Sequence, residues 1–124
     1  MGLRFLSLQP RLEPHELLEF EYRVKRVEPD DVDRLEISVM WHTEGKGTED
    51  MGVHLFRSLS GEDLAKVLDQ NSHVVVTTLP SSPLTFDGSL LKLQWCVRLR
   101  VYLQDGREFT CEKPFHLGHL SSEV

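Results

Sequence analysis

Positive charge is in short supply. The 124-residue chain has 14 Lys and Arg against 20 Asp and Glu, a formal charge of -6 and a pI near 5.5. A nucleic-acid surface needs clustered Lys and Arg, as does electrostatic docking on anionic lipid, so neither is the default. Long apolar runs are lacking too. No stretch approaches the roughly 18 residues of a membrane span, and the start, "MGLRFLSLQPRLEP", reaches Gln9 and Pro10 too soon for a signal-peptide core. Gly2 follows Met, but Leu6 stands where a myristoylation start wants Ser or Thr. These absences set a cytoplasmic protein without an integral membrane segment as the expectation. There is no repeat of fixed period and no low-complexity tract.

What is present is period-two alternation. In "ELLEFEYRVKRVEP", Leu18, Phe20, Tyr22 and Val24 share one side, and Glu19, Glu21, Arg23 and Lys25 the other, until the pattern breaks at Arg26 and Val27. "PDDVD" is a turn. "RLEISVMWH" alternates again, with Leu35, Ile37, Val39 and Trp41 expected inward and Glu36, Ser38, Met40 and His42 outward. "TEGKGTEDMG" reads as a polar loop, "VHLFRSL" and "SHVVVTTLP" as strands. The one helix, about residues 61–69, starts after Ser60 and carries a Leu64, Val67, Leu68 stripe.

The longest element is Leu91 to Leu103. Its odd row is wholly apolar, from Leu91 through Trp95 to Leu103, and its even row is Lys92, Gln94, Cys96, Arg98, Arg100 and Tyr102. At about 3.3 Å per residue it approaches 40 Å, so it must be central. A two-residue Asp105-Gly106 turn would set Glu108, Thr110 and Glu112 on the core face, at high cost. A three-residue loop, Gln104 to Gly106, instead pairs Val101 with Phe109 and Leu99 with Cys111 inside. Outside, it pairs Tyr102 with Glu108 and Arg98 with Glu112. Cys96 and Cys111 then lie on opposite faces and cannot form a disulfide. Two free thiols fit a reducing compartment, and Cys96, pointing outward, is expected to be the faster to label.

Catalytic patterns fall short. No Ser has nucleophile-elbow spacing. Gly45-Lys46 has Met40 and Gly47 where a phosphate loop needs Gly and Ser or Thr. His116 and His119 have no further ligands to complete a metal site, and Glu19 and Glu21 have nothing to make them a glycosidase pair. No cofactor, metal or enzymatic activity is expected. Candidate partner-binding residues are Lys92, Arg98, Arg100 and Tyr102, a locally basic outer row unless Glu108 and Glu112 neutralise it, and Glu44 and Lys46, in a charged loop.

Alternating strands with one short helix make an all-β antiparallel sandwich, with residues 1–118 as one domain and 119–124 as a tail. The stretch Pro80, Ser82, Phe86-Asp87-Gly88, then Leu91 to Leu103 with Trp95, resembles the corresponding part of arrestin-like domains, which share the immunoglobulin-like architecture. "RLEPHELLEFEYRVKRV" resembles that family's opening proline turn and outward-charged strand. His15 departs from it, standing where Gly often follows the Pro, and the long strand lacks the small residue common near its start. Arrestins proper join two such sandwiches, and this chain has residues for one. The resemblance implies a non-catalytic scaffold or adaptor engaging protein partners. A structural protein that self-associates through sheet edges, from a homodimer upward, and an enzyme of unrecognised type are the other classes. Growth beyond a dimer on sedimentation would favour self-association, and a polar pocket with perturbed carboxylates or histidines would favour the enzyme.

Overall fold

The structure is a computed structural model that describes residues 2–6, 11–24, 28–45, 49–70 and 72–118. Its elements are β1 (Gly2–Phe5), β2 (Arg11–Leu12), β3 (Leu17–Arg23), β4 (Val32–Gly45), β5 (Met51–Leu59), α1 (Gly61–Leu68), β6 (His73–Thr78), β7 (Phe86–Asp87), β8 (Leu91–Leu103) and β9 (Glu108–Leu117). Two sheets face one another. The small one runs β1-β3-β6, and the large one β2-β9-β8-β4-β5, with β7 also on β8. Every pair is antiparallel except the short β2–β9 pair. This is the all-β sandwich with one short helix that the alternation predicts.

The alternating rows become the core. Leu18, Phe20 and Tyr22 of β3 meet Leu35, Ile37 and Val39 of β4 and the odd row of β8 from Trp95 to Leu103. Burying each large apolar side chain supplies about 1.5–3 kcal/mol, so this interface holds the sheets together. Trp95 donates its indole N–H to the Pro83 carbonyl at 2.7 Å. That bond ties the Pro-rich loop before β7 to a buried side chain of the core. Leu64 of α1 is buried, and Val67 and Leu68 pack at the core's edge. Ser60 occupies the N-cap position without a side-chain capping bond.

The β8–β9 register is the one that the three-residue loop requires. Leu99 pairs with Cys111, Val101 with Phe109, Arg98 with Glu112 and Tyr102 with Glu108. Gly106 has φ 91°, and Leu103 N–H donates to the Arg107 carbonyl at 2.8 Å to close the loop. Asp105 accepts from Arg107's backbone N–H at 3.0 Å and its Nε at 2.7 Å; the backbone bond first, then the guanidinium, hold its carboxyl below the usual carboxylate range.

Four sequence expectations need correction. The loop between β4 and β5 is shorter than expected, because both strands run into it; Thr43 N–H donates to the Asp50 carbonyl at 2.9 Å. Trp41 faces inward but is only half-buried, with its indole lying against Gly52 at the end of the sheet. Met40 faces outward as expected, yet is buried. Cys96 also faces outward and is buried, whereas inward-facing Cys111 is partly exposed. The expected labelling order is therefore reversed, because depth under neighbouring side chains, not the face alone, governs access. The pattern break at Arg26 and Val27 lies outside the described residues.

Candidate binding surface

The outer face of the large sheet carries five of the six sequence-nominated residues. Lys46 lies outside the described residues. Strand pleating aims the even residues of β8 outward, and the β4 partners stand beside them: Glu44 opposite Lys92, Ser38 opposite Arg98, Glu36 opposite Arg100. Lys92 and Tyr102 sit near opposite ends of a strand roughly 40 Å long, so they do not belong to one small site.

Three groupings result. At one end, Lys92 Nζ lies 3.6 Å from Asp87 Oδ1, and Glu44 Oε1 lies 3.3 Å from His42 Nε2. In the middle, Arg98 Nε donates to Glu112 Oε1 at 2.9 Å. At the other end, Tyr102 O–H donates to Glu36 Oε1 at 3.1 Å and accepts from Arg100 Nη1 at 3.3 Å. Arg34 covers the Tyr102 ring with its guanidinium 4.2 Å from the centroid, and its Nε lies 3.4 Å from Glu36 Oε2. The row that reads as basic in sequence is thus met by carboxylates from both neighbouring strands. Glu112 was anticipated; Glu36 was not, because it reaches Tyr102 from a strand distant in sequence.

Glu44 and Arg98 stand in different groupings but share one groove. With Met40, His42, Asp50 and Met51 they line a groove of about 530 Å³ on the outer face. Cys96 and Met40 are opposite each other across β4 and β8, next to this groove. Burial first, and then Glu112, push the Cys96 thiol up to about 11, while Arg98 pulls the other way. It is a protonated, unreactive thiol at neutral pH.

Sequence reading missed the β5 side of the groove. Val53 pairs with Met40 and Leu55 with Val39, so the ladder skips His54. That bulge turns Val53 outward while Leu55 stays inward. His54 packs edge-on to Trp95 at 6.4 Å and lies 3.1 Å from the Thr77 hydroxyl. Elsewhere, Glu21 is buried between Arg4 at 3.3 Å and Arg23 at 3.1 Å, which makes it a structural charge and separates it from exposed Glu19. Among the described residues no three His, Cys, Asp or Glu side chains converge to hold a metal ion. His119 lies outside those residues.

No family model and no curated protein matches the chain. Among solved structures, Spo0M, a sporulation control protein from Bacillus subtilis, superposes with a TM-score of 0.56 at 9% identity, over 94% of this chain and 49% of its own. A β-glucosidase from Listeria innocua, solved in complex with gluconolactone, gives a TM-score of 0.43 at 19% identity, over 95% of this chain and 16% of its own, too low a score to carry an argument. The chain spans about half the length of Spo0M, and at that identity the likeness is one of fold. The fold is an arrestin-like β-sandwich.

Proposed function

We propose that the chain is a non-catalytic protein-interaction or scaffold domain of the arrestin-like type, binding a protein partner on the outer face of its large sheet. The observation that carries this reading is the pre-ordered charge array on that face. Arg98 is held by Glu112 at 2.9 Å, and Tyr102 is held between Arg34 and Glu36. Ordering long side chains before binding lowers the entropy lost on association. The array lies along an open sheet face, which suits a macromolecule better than an enclosed small molecule. The likeness to a protein described as a control protein points the same way. Free thiols at Cys96 and Cys111 fit a cytoplasmic setting, and no helix among the described residues is long and apolar enough to cross a membrane. No cofactor and no nucleic acid enter this reading.

A second reading, self-assembly through sheet edges, has one observation in its favour. Strand β6 is an edge strand with Val74 and Val76 exposed on its outer face.

Affinity capture from the native lysate, read by mass spectrometry, tests the first reading against an Arg98→Glu, Arg100→Glu variant. A partner held by the wild type and lost by the variant is the expected result. Recovery of this chain alone, with sedimentation growing beyond a dimer as concentration rises, would put self-assembly in its place.

A further inference from the structure

We propose that the β5 half of the outer face is a docking site for an extended segment of a partner protein that combines apolar and basic side chains. The inference rests on the interaction-domain reading above and names where, and to what chemistry, such a domain binds.

An apolar row crosses the sheet. Val53 of β5 stands beside Met40 of β4, Met40 beside Cys96 of β8, and Cys96 beside Pro114 of β9. Met40 and Cys96 form its floor, each 2% exposed. Its β5 end does not close over. Met51, Val53 and Phe56 all face outward, opposite His42, Met40 and Ser38, and are 55%, 52% and 53% exposed. Large apolar side chains left open in one contiguous patch, beside a groove, mark contact surfaces more often than isolated exposed residues do.

The surrounding charge selects the occupant. Glu44, Glu49 and Asp50 line the groove next to Met51. Among the described residues, the Lys or Arg side chain lining the same groove is Arg98, already met by Glu112 at 2.9 Å, and His42 lies 3.3 Å from Glu44. Asp50 Oδ1 accepts the Met51 N–H at 2.8 Å, which fixes its position and leaves its charge in place. The described lining of the groove therefore presents net negative charge beside exposed apolar side chains, the complement of a Lys or Arg side chain next to a Leu, Phe or Met. A second copy of this chain fits poorly. Its formal charge is -6, and a symmetric pairing would bring the same carboxylates to face each other. The His54 bulge also interrupts the β5 edge that strand-to-strand pairing would use.

The test uses short fluorescein-labelled peptides read by anisotropy: one alternating Lys and Leu, one Lys and Ser, and one Glu and Leu. The Lys–Leu peptide is expected to bind, with at least about tenfold weaker binding for each of the other two. Phe56→Ser, and separately Glu44→Lys with Glu49→Lys, are expected to weaken Lys–Leu binding by about tenfold. The same charge change placed on α1, Glu62→Lys with Asp63→Lys, is expected to leave it unchanged. All these positions are exposed, and circular dichroism is the check that each variant folds. Equal loss in the α1 variant, or equal binding of the Lys–Ser peptide, would reduce the effect to net charge and overturn the proposal. Concentration-dependent dimerisation abolished by Phe56→Ser would also overturn it and assign the patch to a second copy. Capture of a partner that depends on Arg98 and Arg100 but ignores Phe56→Ser would end this inference and leave the interaction-domain reading standing. Binding of no peptide together with capture of no partner would end both.

Discussion

His15 holds a backbone φ of 68° in the turn after Pro14, a left-handed conformation that suits glycine. Its N–H donates to the Leu79 carbonyl at 3.1 Å, so the turn is tied to the end of β6 and cannot relax alone. Left-handed backbone costs a side chain about 1–2 kcal/mol, partly offset because glycine loses more entropy on folding. His15→Gly is expected to raise stability by roughly 0.5–1 kcal/mol in chemical denaturation, and His15→Val to lower it. The cysteines offer a second check at this scale. In the folded protein Cys111 is expected to react with a thiol reagent before Cys96. Because the fold raises the Cys96 pKa from 9.0 to about 11, the unfolded chain ionises first as pH rises. The stabilisation is complete below pH 9 and declines up to about pH 11; the loss is roughly 2 kcal/mol. Cys96→Ala should flatten that alkaline decline in pH-dependent denaturation; an unchanged slope would mean that the thiol is not buried as described.

At the scale of elements, hairpin β8–β9 was legible in advance and β5 was not. The hairpin has an unbroken apolar row on β8, a matching row on β9 interrupted at Lys113, and a Gly at the one loop position that needs positive φ, so a single register avoids burying Glu108 and Glu112. Strand β5 conceals a bulge at His54, and in sequence Val53 and Leu55 look like neighbours on one face. Only pairing with β4 shows that they part, which is why the exposed Met51, Val53 and Phe56 wall went unread. The same pairing places Gly52 under the Trp41 indole, where an added Cβ would collide with the ring. Gly52→Ala is expected to cost about 1–3 kcal/mol as the ring is displaced. A red shift in tryptophan emission should accompany it, and an unshifted spectrum with full stability would show that the contact is not made.

For the whole molecule, residues 1–118 are proposed as the folding unit. The last described residues are pinned to two segments distant in sequence: Gly118 N–H donates to the Leu12 carbonyl at 3.0 Å, and Leu117 N–H to the Thr85 hydroxyl at 2.9 Å. A chain shortened by residues 119–124 is expected to unfold in one cooperative transition, within about 0.5 kcal/mol of the full chain. A larger loss would show that the tail belongs to the domain.

The amino-acid sequence by itself determined the sandwich, the central place of β8, its hairpin register and the opposite facing of the two cysteines. Period-two alternation and turn chemistry are local, and each admits one low-cost arrangement of charged and apolar rows. The tertiary structure decided what lies deep on the outer face, which charges meet, and where an apolar wall stays open. Met40 and Cys96 are buried although they face outward, Glu36 reaches Tyr102 from β4, and a one-residue bulge turned part of β5. Such effects depend on pairing between segments far apart in the chain, which no single strand's pattern contains.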